Sequence, residues 1–141
     1  MKFPTWLPVY GDQSFRGKCP TEDAEHVTII NLIRKTDYGP LLIHPRNEGK
    51  RTANQAAWEK ARGMSGGASD LIIPASPAFL CELKRADHTK SHWQDGQIEY
   101  LGAAKDVGAF VCIALGHSGA WEAFQAWRRV VSKTAGNQAN D

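Results

Sequence analysis

Cysteine is scarce in this chain of 141 residues: Cys19, Cys81 and Cys112 are the only three, and none stands in a Cys-x-x-Cys spacing. That argues against a disulfide framework and against a zinc ribbon, and it suits a reducing cytosol. Long apolar runs are also missing. None approaches the ~20 residues that span a bilayer, so no membrane partner is expected. The opening residues, MKFPTWLPVYGDQ, hold two prolines and no apolar stretch of signal-peptide length. Charge of one sign is sparse as well. A formal net charge of +2 is too small to prove a nucleic-acid partner. Internal repeats and low-complexity tracts are absent.

What remains is an ordinary globular composition of a length that suits one domain. Residues 1–20 are rich in proline, glycine and aromatics, show no period, and read as an irregular N-terminal arm. The sequence PTEDAEHVTIINLIRK starts a helix. Thr21 can cap it, Glu22 and Asp23 favour the positive end of its dipole, and Val27, Ile30, Ile33 and Arg34 fall at helical spacing. GPLLIHP, bounded by Pro40 and Pro45, reads as a short strand. Residues 53–62 form a helix that stops at Gly63. DLIIP and AFLCELK read as two strands of a hairpin joined by a Pro-containing turn. Residues 91–108 read as a helix despite Gly96 and Gly102. AFVCIAL is a buried strand, with Cys81 and Cys112 as small core residues. SGAWEAFQAWRRVV is a final amphipathic helix with Trp121, Phe124 and Trp127 on its apolar face. Residues 133–141 are polar and read as a flexible tail. The order of elements makes this a mixed α/β layer protein.

Charge within this pattern is informative. Residues alternate faces along a strand, so Glu82 and Lys84 project to the same side. The hairpin brings Asp70 to the same end. Two carboxylates converging at one strand end repel unless a cation lies between them. Oxygen ligands suit Mg²⁺ or Mn²⁺ rather than zinc. Lys84 beside such an ion could hold an attacking water or meet the charge of a phosphoryl group. The bland alternative is an exposed Glu–Lys pair worth ~1 kcal/mol or less. Two basic clusters accompany the acids: Arg46, Lys50 and Arg51 in one segment, and Lys84, Arg85, His88, Lys90 and His92 in another. Arg85 and Lys90 are candidate phosphate contacts. Trp93 could stack on a base or simply pack.

The combination GASDLIIP…FLCELK…QIEYLGAAKDVGAFVCIALG resembles the PD-(D/E)XK nuclease superfamily, and within it the VRR-NUC group in its stand-alone phage or prophage form. The resemblance spans residues 21–127. It implies a restriction-endonuclease-like mixed sheet core of helix, three strands, helix and strand, with flanking helices, and a nuclease domain over residues 21–132. Carried over by position, Asp70 and Glu82 are the metal carboxylates. Leu83 lends its carbonyl, Lys84 is the motif lysine, and Gln97 is the helix glutamine, with Gln94 as its competitor. Glu22 is the acid of the first helix, with Glu25 as alternative, and His26 lies one turn from Glu22. HPRNEGKR resembles the loop before the motif, which makes His44, Asn47, Lys50 and Arg51 candidates for DNA contact; His44 could equally be a core histidine. The chain departs from the group at Ser69, where a proline is usual.

The activity implied is a Mg²⁺- or Mn²⁺-dependent endonuclease hydrolysing DNA phosphodiesters. No base-reading element is evident, so structure selectivity is the expected mode. The stand-alone group is associated with homodimers acting on four-way (Holliday) junctions in phage recombination or replication, which implies a bacterial host cytoplasm. The rival expectations are a restriction- or repair-type nuclease on linear or single-stranded DNA, and an inactive DNA-binding module.

Overall fold

A computed structural model describes residues 1–45, 52–62 and 66–139, with side chains through residue 133. The elements run β1 (Val9–Tyr10), α1 (Glu22–Arg34), α2 (Ala53–Ala61), β2 (Leu71–Ile73), β3 (Phe79–Lys84), α3 (Gln97–Asp106), β4 (Phe110–Leu115) and α4 (Gly116–Ala139). The four strands form one mixed sheet in the order β1-β4-β3-β2. β3 and β4 are parallel, and β2 and β3 form the expected antiparallel hairpin, with Leu71 level with Cys81 and Ile73 with Phe79. The fold is mixed α/β, as the order of patterns in the sequence implies.

Both faces of the sheet are covered, so the odd and even residues of β3 are all buried. Phe79, Cys81 and Leu83 pack with Ile29 and Ile33 of α1 and with Phe124 and Trp127 of α4. Leu80 turns to the other face, where Leu101 of α3, Val111 and Ile113 gather. Glu82 and Lys84 continue that even series. The alternation therefore aims both at the side of the sheet where α3 begins. Cys81 and Cys112 lie side by side across β3 and β4, free and buried, as core residues.

Several local expectations shift. The strand read over GPLLIHP is a 3₁₀ turn at Gly39–Leu41 followed by one isolated bridge, Ile43 to Ile72. Pro40 and Pro45 have no N–H to give a ladder, and Ile43 alone exchanges both backbone bonds, at 2.8 and 2.9 Å. α3 starts at Gln97 rather than near residue 91, because Gly96 takes a left-handed φ of +86° that no helix continues through. Val27, expected on the apolar face of α1, is 61% exposed. The buried stripe is Glu25, His26, Ile29 and Ile33 instead. Thr21 does cap this helix, accepting from the Ala24 amide at 3.2 Å. α4 runs to Ala139, past the start of the expected tail.

The arm at 1–20 is also more ordered than its composition suggested. Val9 and Tyr10 add a parallel edge strand to β4, and Leu7 is a core residue. Side chains of the segment after β3 lace the rest in place. Arg85 donates to the carbonyls of Cys19 and Pro20 at 2.8 and 3.0 Å. Lys90 donates to Gly17 O at 2.8 Å, and Trp93 Nε1 donates to Lys2 O at 2.7 Å. Asp87 accepts from the Gly17 amide at 2.9 Å and from both donors of Thr89.

Hydrogen bonds from Thr89 and from the Gly17 amide lower the Asp87 carboxyl to about 2. A depressed carboxylate stabilises the fold above its unfolded pKa of about 4 and loses that contribution as pH falls through its folded value. The stability gap between the wild type and Asp87→Asn, read from urea midpoints, is expected to be constant above pH 5 and to close between about pH 4 and 2.

Candidate active site

β3 ends where α3 begins, and four side chains meet there. Glu82 and Lys84 are 1% and 2% exposed, which removes the bland reading of a surface pair. Lys84 Nζ donates to His92 O at 3.0 Å and to Gln97 Oε1 at 3.1 Å. It lies 3.8 Å from Glu82 Oε1, 3.9 Å from Glu22 Oε1, and 5.7 Å from the centre of the Trp93 ring. Gln97 Nε2 donates to Glu82 Oε1 at 2.8 Å. The chemistry of the partners fixes the amide orientation, because an ammonium and the Gln94 backbone N–H can only donate to its oxygen. Gln97, not Gln94, is thus the glutamine that links the acid to the lysine.

Asp70 completes the group from the neighbouring strand. The hairpin register that sets Leu71 opposite Cys81 puts Asp70 level with Glu82. Asp70 Oδ2 accepts from the Leu83 amide at 2.8 Å and lies 3.5 Å from His26 Nε2. His44 donates through Nδ1 to the Asp70 carbonyl at 2.7 Å. One small open pocket is lined by Glu22, Asp23, His26, Asp70, Glu82, Leu83, Lys84, Gln94 and Gln97. Glu22 reaches its rim from the first turn of α1. Glu25, one turn further along that helix, faces elsewhere: it accepts from the backbone N–H and the imidazole of His117 at the start of α4.

The surroundings shift the two acids in opposite directions. Burial, then the charge of the neighbouring Asp70, push Glu82 well above the ordinary carboxylate range, against the pull of Lys84. Burial alone would raise Asp70 too. The contacts with His26 and Glu82 and the Leu83 amide outweigh that and hold its carboxyl low. Two close, desolvated carboxylates cannot both ionise without a cation. Glu82 Oε2 is buried and makes no hydrogen bond of acceptable geometry. An orphaned oxygen next to the Asp70 carboxylate, with Leu83 lining the same pocket, fits a hard divalent ion. Among the described residues no cluster of three or more His, Cys, Asp or Glu side chains suits a metal. Two carboxylates are too few to fill such an ion's shell, which suits one that keeps part of its water.

The remaining candidates scatter. Trp93 lies beneath the Lys84 ammonium with its N–H on the arm, a packing position. Arg85 and Lys90 bind arm carbonyls. Asn47, Lys50 and Arg51 lie outside the described residues. His44 is exposed but is tied to Asp70, so it is no core histidine. Sequence reasoning missed two supports. Ser91 Oγ bridges the Arg85 amide and Glu22, and nothing in the local pattern marked it. Gly67, at φ +79°, packs on Gly96; a Cβ there would meet the Gly96 carbonyl group and come within 2.7 Å of the Gln97 amide. Paired glycines before a motif acid are the signal that could have found it.

The sheet order and the acids at the hairpin end define a restriction-endonuclease-like fold. Within that class, the chain has the fold of a VRR-NUC domain. A solved structure described as a VRR_NUC domain protein superposes with a TM-score of 0.64 at 20% identity, covering 77% of this chain and 88% of its own. No family model matches the sequence, and no curated protein is significantly similar to it.

A carboxylate whose folded pKa is raised favours the fold at low pH and loses that contribution as pH rises through the folded value. In the absence of divalent metal, Glu82→Gln is therefore expected to unfold at higher urea than the wild type, by a margin that widens as pH rises above about 5. Gly67→Ala is expected to lower stability by at least about 1 kcal/mol, from strain at positive φ and the clash with Gly96. Urea denaturation measures both.

Proposed function

We propose that the protein is a divalent-metal-dependent endodeoxyribonuclease of the VRR-NUC group, hydrolysing DNA phosphodiesters. The observation that carries this reading is the convergence of Asp70, Glu82, Lys84 and Gln97 in one pocket, with a buried Glu82 oxygen left without a partner. Asp70, Glu82 and the Leu83 carbonyl would hold Mg²⁺ or Mn²⁺, with Glu22 at the rim reaching it through water. When bound, the ion supplies an activated water at neutral pH and charge neutralisation at the phosphate. Lys84 positions the attacking water and offsets charge that develops on the phosphoryl oxygens. Gln97 holds Lys84 and Glu82 in one arrangement, so neither side chain reorganises during the step. His92 O and the Trp93 ring fix the far side of the ammonium.

The reading extends to the substrate. Nothing in the pocket reads base edges, which favours recognition of DNA by shape and backbone. We propose branched DNA, a four-way junction above all, cut by a homodimer whose two pockets serve the two strands. A host-cytoplasm role in phage recombination or replication agrees with this. No helix among the described residues is long and apolar enough to cross a membrane. The proposed catalytic unit is residues 21–132, braced by the arm. Asn47, Lys50, Arg51, Arg85 and Lys90 are the proposed contacts to the DNA backbone. Arg85 and Lys90 would each have to serve the arm and a phosphate together.

With Mg²⁺ or Mn²⁺ the purified chain is expected to cut a four-way junction faster than a matched linear duplex, and to stop when the metal is chelated. If branched, linear and single-stranded DNA all stay intact with either metal, the reading fails. Equal cutting of linear duplex would favour a restriction- or repair-type enzyme. Asp70→Asn is expected to abolish cutting while leaving DNA affinity in Ca²⁺ within twofold. Gln97→Ala is expected to reduce kcat about 10- to 100-fold, as loss of a group that orients metal ligands does. Binding without cutting in the wild type would indicate a DNA-binding module.

A further inference from the structure

Asp70 leads into β2, the edge strand of the sheet. The residues before it are Gly66, Gly67, Ala68 and Ser69, two of them glycines and none able to fix φ as proline does. The strand that follows is three residues long. A metal carboxylate displaced by an ångström would serve poorly. Groups from other parts of the chain hold it. The Leu83 amide takes Oδ2, and two imidazoles complete the grip. His26 of α1 brings Nε2 to 3.5 Å from the same oxygen. His44, next to the bridging Ile43, reaches the Asp70 carbonyl at 2.7 Å. A carbonyl only accepts, so His44 Nδ1 carries the proton and donates. The two rings meet edge to face, 4.9 Å apart and inclined at 78°. Each histidine thus braces the other while one touches the side chain of Asp70 and the other its backbone.

Resting on the metal-nuclease reading above, we infer that His26 and His44 are a positioning pair for Asp70, and that His44 acts through the Asp70 backbone rather than by contacting DNA. The two contributions are unequal. A separation of 3.5 Å is long for a hydrogen bond, so His26 is a polar wall beside the carboxylate. His44 makes a short bond and carries the larger effect. Its exposure does not conflict with this, because Nδ1 is already committed to the carbonyl.

The test uses the full chain and three readouts: Mn²⁺ affinity from the resonance signal of the free ion, DNA affinity in metal-free buffer, and cleavage kinetics. His44→Ala is expected to weaken Mn²⁺ binding about 10- to 100-fold and to lower kcat, with KM and DNA affinity within twofold. His44→Asn, whose side-chain amide can still donate toward the carbonyl, should recover part of the Mn²⁺ affinity. His26→Ala should weaken Mn²⁺ binding less than His44→Ala does. Adding His26→Ala to His44→Ala should cost less than the product of the two single losses, because the rings brace each other. The inference is overturned if wild type binds Mn²⁺ and His44→Ala binds it equally well, or if His44→Ala loses DNA affinity with Mn²⁺ binding unchanged. If wild type binds no Mn²⁺ and cuts no DNA, the nuclease reading falls first and this inference with it. Should His44→Ala melt more than a few degrees lower, His44→Asn and His26→Ala at matched stability decide the outcome.

Discussion

Two desolvated carboxylates, Asp70 and Glu82, sit level with each other at one end of a β-hairpin, and the structure around them is arranged to tolerate that. Removing charge from water is costly, and like charges at close range add to the cost. Part of the cost is offset by Lys84, by the Gln97 amide and by the Leu83 N–H. Burial and the neighbouring Asp70 also raise the pKa of Glu82, which favours its neutral form. What is left unsatisfied, the second oxygen of Glu82, is the feature that makes a cation the natural occupant. A cation held there, as proposed above, would relieve both the repulsion and the unmet oxygen.

The rest of the fold serves this placement. The parallel pairing of β3 with β4 and the coverage of both sheet faces bury the end of β3 from every side but one. α3 starts at the residue needed, because Gly96 turns the chain sharply just before Gln97, and Gly67 gives Gly96 room to do so. α1 runs along the opposite face, yet its first two turns project Glu22 and His26 past the sheet end. The capped start of α1 and the start of α4, held by Glu25, thereby become part of the same rigid frame. Basic side chains that a charge map assigns to substrate are in part structural: Arg85 and Lys90 hold the arm. Charge clusters in a sequence do not distinguish a solvated or DNA-facing cation from one that has a backbone carbonyl within reach.

Local rules carried much of this into view. Strand alternation alone put Glu82 and Lys84 on one side, Thr21 announced the helix that carries Glu22, and short apolar runs broken by Pro74 and Pro77 announced the hairpin. Each depends only on neighbours in the chain. Long-range partners decided what they left open. Glu22 and Glu25 are both acids in a first helical turn, and no local signal separates them. The start of α4 takes Glu25 and leaves Glu22 for the pocket. Gln94 competes with Gln97 from nearly the same helix face, three residues earlier, until a positive φ at Gly96 makes Gln97 the first residue of α3.

The sequence by itself determined the chemistry available: two acids and a lysine within fifteen residues, at strand periodicity, in segments too apolar to be surface. Tertiary structure decided that these groups are buried, which oxygen lacks a partner, and which histidines attend Asp70. The physical reason is range. Periodicity and propensity act over a turn or a strand, whereas desolvation and the protonation states it imposes depend on everything packed within several ångströms, and those neighbours come from residues far apart in the chain.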